Sequence, residues 1–515
     1  MAAIPDETVR GPAALEPLDA HNLGLLANVH PVAWENPEPK DRYHLVVVGA
    51  GTAGLVSAAI AASLGARVAL VERALMGGDC LNVGCVPSKA LLGAARGWHA
   101  AREAAARFGG PAATGGGDFA AAMTRVRRIR AELSPVDGAP RFHGELGVDV
   151  FFGHGRFVST ETLEAGGRRL RFRRAVIATG ARAAVPPIPG LAEAGYRTNE
   201  TIFNLTERPD SLVVIGGGPI GCELAQAFAR FGTRVTLLEA GERILARDDP
   251  EAAAVVAHSL ARDGVELVTG ARVDRLERTG SGERAVHYRT EAGEEIATGS
   301  EVLVAVGRAP NVEDLGLESA GVRRGRGGVE VDGRMRTANR RIYAIGDVAS
   351  PLRFTHAADA QARMVVRNAL FFGRGRAAEL LIPWATYTSP ELAHVGITAA
   401  EVAEAGARVE TVTVPFHDVD RAKLDGDDEG FLRVHLRAGS DRILGATLVG
   451  EHAGELISQI TQAMRAGSGL GRLGDVVHPY PTRAAVIGRA ADAWRRTRLT
   501  PRVRRGFDLF FRLFA

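Results

Sequence analysis

Residues 77 to 89 read Gly-Gly-Asp-Cys-Leu-Asn-Val-Gly-Cys-Val-Pro-Ser-Lys, and they hold two of the three cysteines in a chain of 515 residues. On a regular helix, residues five apart sit about 8.7 Å from each other between Cα atoms, beyond the roughly 7 Å that a disulfide spans. Cys80 and Cys85 can therefore pair only if the backbone leaves the helix between them. Gly84 supplies that freedom, and Pro87 suits the first turn of a following helix, where its missing N–H costs nothing. Cys85 then stands at a helix N-terminus, where the dipole favours thiolate. The stretch reads as a redox-active disulfide, against the duller reading of two buried thiols or a static staple.

Immediately upstream, Leu45 to Val48 is a continuous apolar run, expected as a strand buried on both faces. It leads into Gly49-Ala-Gly51-Thr-Ala-Gly54, an alanine-rich helix, a second strand Arg67 to Val71, and Glu72. This is the dinucleotide fingerprint in its proper setting. Gly49 allows the tight turn, Gly51 lets a pyrophosphate approach the backbone, Gly54 lets helix pack on strand, and Glu72 accepts from ribose hydroxyls. The apolar stretch Leu45 to Ala66 is uncharged, but its glycines fit strand, turn and helix better than a membrane span.

The pattern returns downstream. Leu212 to Ile215 precedes Gly216-Gly-Gly218-Pro-Ile-Gly221, a helix through Arg230, the strand Arg234 to Leu238, and Glu239. The acid follows the first glycine at the same spacing in both copies, so two dinucleotides are expected. A carboxylate at Glu239 suits the free 2′-hydroxyl of NADH and repels the 2′-phosphate of NADPH, with Arg243 nearby as a counterweight. NADH is favoured, with NADPH the alternative.

Between the copies, Asp118 to Leu133 reads as an arginine-rich amphipathic helix and Arg173 to Thr179 as a strand closing on Gly180. Glu301 to Val306 reads as a strand ending the second unit, and Arg341 to Gly346 as one that delivers Asp347 at its carboxyl end, where doubly wound sheets bind ligands. Beyond Pro383 the runs Arg408 to Val414, Gly430 to Leu436 and Ile443 to Val449 read as strands of an α+β module, with helices at Ala453 to Ala466 and Pro481 to Arg496. His478 lies just before the last of these. Residues 1 to 42 show no sustained period and read as an extension. Trp494 to Ala515 carries seven arginines and several aromatics; it suits a membrane-surface helix or, more plainly, packing on protein.

Composition sets bounds. A formal charge of +3 over 515 residues leaves no global nucleic-acid footprint. No basic start followed by an apolar core marks the first 42 residues, so a cytoplasmic location is the expectation. Of 63 Lys plus Arg, only Lys40, Lys89 and Lys423 are lysine. A chain that otherwise writes its cations as arginine has kept a compact ammonium four residues after Cys85.

Together these residues resemble the FAD-dependent pyridine nucleotide–disulfide oxidoreductases, nearly throughout 43 to 490. The wording from Cys80 to Lys89 is most similar to the mercuric reductase and dihydrolipoamide dehydrogenase branches, and within those Ser134-Pro-Val-Asp to Arg141-Phe and His478-Pro-Tyr-Pro-Thr482 resemble the mercuric-reductase-like oxidoreductases. The resemblance implies an α/β fold of two Rossmann-like domains and a C-terminal α+β dimerisation domain. Its expected parts are an extension 1–42, an FAD domain 43–188 and 309–378, an NAD(P) domain 189–308, a dimerisation domain 379–490, and a basic aromatic tail 491–515. It implies FAD at Gly49, Gly51, Gly54, Glu72, Gly180 and Asp347, and NAD(P)H at Gly216, Gly218, Gly221 and Glu239. Lys89 is implied to pair with Glu223 near the flavin. Thr388, Pro390 and Glu391 match the entry to the dimerisation domain, and His478 is implied to complete the site of the other subunit in a homodimer. No resident metal is expected.

The chain departs from the family pattern in places. Arg483 stands five residues after His478, where disulfide reductases of this family usually carry a Glu that orients the His. The cysteine pair that commonly ends mercuric reductases is missing, as is their N-terminal metal-binding module, and Glu239 departs from NADPH preference. The readings are thus an NAD(P)H oxidoreductase of the mercuric-reductase kind acting on a small disulfide, metal-ion or quinone acceptor, a dihydrolipoamide dehydrogenase, and a membrane-docked flavin sensor without turnover.

Overall fold

The computed structural model describes residues 15–514. The first sheet is parallel at its centre, in the order Asp149–Phe152, Val68–Glu72, Tyr43–Val48, Arg168–Ile177 and Ile342–Ala344. Val47 sits opposite Leu70 on one side and Val176 on the other. Leu45 to Val48 are all buried, as an unbroken apolar run in a sheet covered on both faces requires. The helices Thr52–Ser63 and Thr355–Leu370 cover one face. Phe157, Phe172, Leu315 and Leu317 close the other.

The second sheet repeats the plan with four parallel strands, Val265–Thr269, Arg234–Glu239, Ser211–Ile215 and Glu301–Val304. An antiparallel meander over 272–299 lies beside it. The third sheet is wholly antiparallel, in the order Trp384–Thr386, Glu391–Gly396, Ile443–Gly450, Phe431–Arg437 and Val409–Pro415. Helices Ala453–Arg465 and Ala485–Thr497 bury Ile457, Ile460, Val486 and Ile487 against it.

Three expectations need correcting. Residues 15–42 are not a free extension, although residues 1–14 lie outside the described region. Asp19 caps the helix Ala20–Val29 by accepting from Asn22 N, and Leu15, Leu25, Leu26 and Val29 are buried in the core of the first unit. That helix packs against Phe119–Asp137, whose Arg127 and Arg130 point inward rather than to solvent: Arg127 Nε meets Asp19 Oδ2 at 2.6 Å, and Arg130 is wholly buried. Finally, the helix expected from Pro481 begins at Ala485, because the buried Arg483 guanidinium is drawn to Asp425 and Asp427, the former at 3.1 Å.

Candidate active site

One cleft of about 1810 Å³ is lined by both glycine turns, the cysteine stretch and the carboxyl ends of the strands. Gly49, Gly51, Glu72, Cys80, Cys85, Lys89, Gly180, Asp347, Gly216, Gly218, Glu223 and Glu239 all reach it. Gly54 and Gly221 lie behind the turns, where each does the same work. A Cβ on Gly54 would fall 1.8 Å from Gly49 O, and one on Gly221 1.9 Å from Gly216 O, so only glycine lets helix meet strand.

The two acids are also used alike. Glu72 accepts from Ala50 N at 2.7 Å and Ala74 N at 2.8 Å; Glu239 accepts from Gly217 N at 2.6 Å and Gly241 N at 2.7 Å. Each carboxylate clamps its glycine turn and retains lone pairs for a ribose. A Cβ on Gly218 would meet nothing within 4 Å, leaving open space for a phosphate at the N-terminus of the helix Pro219–Arg230. The residues present therefore fit two dinucleotides. Arg243 is occupied elsewhere, donating to the carbonyls of Leu245, Ala246 and Asp248 at 2.9, 2.7 and 3.1 Å.

At the cysteines, a short helix Gly78–Asn82 ends, Val83 and Gly84 turn the chain, and a new helix Cys85–Phe108 begins at Cys85 itself. A Cβ on Gly84 would come within 2.8 Å of Asp79 O, so the turn is closed to larger residues. Cys80 and Cys85 are unbridged, with their sulfurs close enough to share a proton. The Cys80 hydrogen bond, with the Thr355 hydroxyl at 3.3 Å and the nearby Lys89 ammonium, outweighs burial and holds Cys85 down at about 6. The same hydrogen bond, burial and the charge on Cys85 push Cys80 far up. Of the two sulfurs, the surroundings favour Cys85 as the thiolate and Cys80 as the thiol.

Lys89 Nζ lies 2.6 Å from Glu223 Oε2 and 4.8 Å from the centre of the Tyr387 ring. Burial alone would lower the Lys89 pKa, but the Glu223 carboxylate more than offsets it and keeps the ammonium charged. Glu223 is itself held by Tyr387 N at 2.9 Å. On the other side, Arg308 pairs with Asp79 and, at 3.2 Å, with Asp347. Burial raises Asp347, and Arg308 only partly reverses this.

The loop between the cysteines has its own support. Arg130 Nη1 donates to Asn82 O at 2.7 Å and Nη2 to Asn22 Oδ1 at 3.0 Å, while Asn82 Nδ2 donates to Met76 O and Gly78 O at 3.0 and 2.9 Å. Thr355, Arg308, Asp79 and Arg130 carry no signature of these roles in the sequence. His478 does not line the cleft; it is half-buried in an exposed segment, and its Nε2 has no hydrogen-bond partner among the described residues. Arg483 is turned from it toward Asp425.

Two dinucleotide folds opening on a cysteine pair in one cleft define a class, the two-nucleotide disulfide oxidoreductases. The chain belongs to the pyridine nucleotide-disulphide oxidoreductase family, whose model matches residues 43–362, and the family's dimerisation domain matches residues 382–491. The family is FAD-dependent and uses a pyridine nucleotide. Among curated relatives, the mercuric reductase of Streptomyces lividans is 36% identical over 88% of this chain and 96% of its own. The mercuric reductase of Bacillus cereus is 33% identical over 92% of this chain and 74% of its own. The dihydrolipoyl dehydrogenase of Thermus scotoductus is 35% identical over 88% and 97%. Among solved structures, the HOCl-induced flavoprotein disulfide reductase RclA from Escherichia coli superposes with a TM-score of 0.77 at 30% identity, covering 87% of this chain and 98% of that one. The protein is an NAD(P)H-dependent flavin disulfide oxidoreductase.

Proposed function

We propose that this enzyme uses Cys80 and Cys85 as a working dithiol to pass electrons from NADH to a disulfide or a thiophilic metal ion. The observation that carries the reading is the placement of the pair: both cysteines line the cleft between the two glycine turns, and Cys85 opens the helix Cys85–Phe108 with its Sγ 3.3 Å from Thr355 Oγ1 and the Lys89–Glu223 ion pair nearby. Bound FAD supplies the two-electron relay between nicotinamide and sulfur that side chains lack. Residues 43–188 with 309–378 hold it through Gly49, Gly51, Gly54, Glu72, Gly180 and Asp347. Residues 189–308 hold the nicotinamide nucleotide through Gly216, Gly218, Gly221 and Glu239.

One NADH supplies two electrons and one proton, which convert the Cys80–Cys85 disulfide to a Cys80 thiol and a Cys85 thiolate. Cys85 would face the flavin, and the Lys89 ammonium, paired with Glu223, sets the local charge. His478 of the partner subunit takes the Cys80 proton, and Cys80 attacks one sulfur of the substrate disulfide. The first leaving thiolate recovers that proton. Cys85 then attacks Cys80, restoring the bridge and expelling the second thiolate. Exposed Val477 and Tyr480, 93% and 80% accessible, flank His478 and favour a surface covered in a homodimer.

NADH is preferred on two grounds: Glu239 reaches the cleft, and Arg243 is spent on backbone carbonyls. We place the enzyme in the cytoplasm, working on small acceptors. Dihydrolipoamide dehydrogenation is the second reading, supported by Glu239 and His478, but Arg483 is committed to Asp425 where an orienting carboxylate is usual. Turnover of the FAD-loaded dimer with NADH and NADPH against Hg(II), oxidised glutathione, a quinone and the dihydrolipoamide couple decides between them. Efficient dihydrolipoamide oxidation with no turnover of Hg(II) or glutathione disulfide would reverse the order.

A further inference from the structure

The helix Pro501–Phe514 lies past residue 491, where the match to the dimerisation domain ends, and it buries none of its side chains. At 100° per residue, Val503, Phe507, Phe510 and Phe514 fall along one side and Phe511 on its shoulder. Arg505, Asp508 and Arg512 fall on the opposite side. The rings form one continuous face: Phe510 and Phe514 have centroids 4.6 Å apart, and Phe507 and Phe511 6.4 Å. Phe507, Phe510, Phe511 and Phe514 are 50%, 51%, 63% and 74% exposed.

The charges say what covers this face. Four arginines against one aspartate leave the helix strongly cationic, and Arg502 and Arg504 stand at the two edges of the apolar stripe. Against a second copy of itself the helix meets like charge with a single acid to answer it. An anionic surface answers all four. The edge arginines can run their aliphatic stems beside the rings while their guanidinium groups rise to phosphate level, the arrangement of a helix lying in a bilayer interface. Among the described residues no helix is long and apolar enough to cross a membrane, so the contact is one of lying on the surface. We propose that Pro501–Phe514 docks the enzyme on the surface of an anionic lipid bilayer, with its phenylalanines in the acyl boundary and its arginines on the headgroups.

The test is co-sedimentation of the FAD-loaded, full-length protein with vesicles of phosphatidylglycerol in phosphatidylcholine and of phosphatidylcholine alone, at low and high salt. The native protein pellets with the anionic vesicles at low salt, and salt or neutral lipid releases it. Each Arg→Gln change at 502, 504, 505 and 512 weakens binding about fivefold. Phe507→Ser, Phe510→Ser and Phe514→Ser together abolish it, while NADH oxidation with a soluble acceptor stays at the native rate in every variant. Equal binding to neutral and anionic vesicles overturns the proposal, as does absence of binding to both. A triple Phe variant that sediments like the native protein, or that loses the dimer on gel filtration while the native dimer ignores vesicles, also overturns it, the last in favour of subunit packing.

Discussion

Lys89 and Glu223 join the redox helix to the helix behind the second glycine turn, Nζ to Oε2 at 2.6 Å, with Glu223 buried. The two charges act on Cys85 with opposite sign: the ammonium lowers its pKa and the carboxylate raises it. We expect Lys89→Met to raise the pH midpoint of the Cys85 thiolate by roughly one unit, and Glu223→Gln to lower it. The pH titration of long-wavelength absorption in the two-electron-reduced enzyme reads both shifts. Equal or same-sign shifts would mean that the pair acts only as a structural tie.

The division of labour between the sulfurs predicts an asymmetric pair of variants. Cys80→Ser keeps a hydroxyl donor beside Cys85, so the thiolate–flavin absorption should persist and rise as pH increases through about 6. Cys80→Ala removes the largest influence holding Cys85 down, and the same absorption should need a higher pH. Cys85→Ser should lack the band at every pH.

Under the proposed function, Glu239 is expected to govern nucleotide choice. We expect kcat/KM for NADH to exceed that for NADPH, and Glu239→Ser to lower the NADH value about tenfold, in line with the loss of one or two hydrogen bonds to a charged group. The same change should raise the relative use of NADPH, because the charge facing a 2′-phosphate is gone. Steady-state kinetics with both nucleotides measure the ratio.

Arg130 is a wholly buried cation whose resolved donor contacts are a backbone carbonyl and an amide oxygen, and burial lowers its pKa to about 10. Arg130→Met leaves Asn82 O and Asn22 Oδ1 without that donor, at a cost of about 1 to 3 kcal/mol. The expected result is a lower denaturant midpoint and faster proteolysis around residues 77–89. Asn22→Ala should give a smaller loss of the same kind.

His435 gives the third sheet a pH limit. It is 3% exposed, its Nδ1 lies 2.9 Å from Thr411 Oγ1, and burial, with His394 and Arg433 nearby and only partly offset by Asp249, lowers its pKa to about 4. Because the unfolded chain binds this proton near pH 6.5 and the folded chain only near 4, stability falls as pH drops through that window. The loss is on the order of 3 kcal/mol. His435→Gln should flatten the dependence of the unfolding midpoint between those pH values.

The plan of the fold was legible because both glycine turns depend on local residues: the close approaches at Gly54 and Gly221 leave no other residue possible. The cysteine stretch was legible for the same reason. What escaped was assembled from far apart. Thr355 reaches Cys85 across 270 positions, and Arg308 reaches Asp79 across 229, so neither carries a local pattern. The helix Ala20–Val29 was missed because ten residues give too little period, and nothing in the arginine-rich helix opposite it distinguishes the buried Arg130 from its exposed neighbours. Arg483 was visible as a departure from the family, but its engagement with Asp425 and Asp427 depended on the end of the helix Asp420–Asp425 and the turn after it, which only folding brings close.

The matching glutamate clamps bear on tenancy. Both turns are already tied down, Glu72 to Ala50 and Ala74, Glu239 to Gly217 and Gly241. Neither nucleotide should have to order its turn on arrival. Under the proposed assignment, a resident flavin and a visiting nicotinamide meet the same rigid handshake. How long each stays must then be set by the walls around it: Glu72 is buried at 9% exposure, whereas Glu239 lies half-open to the cleft.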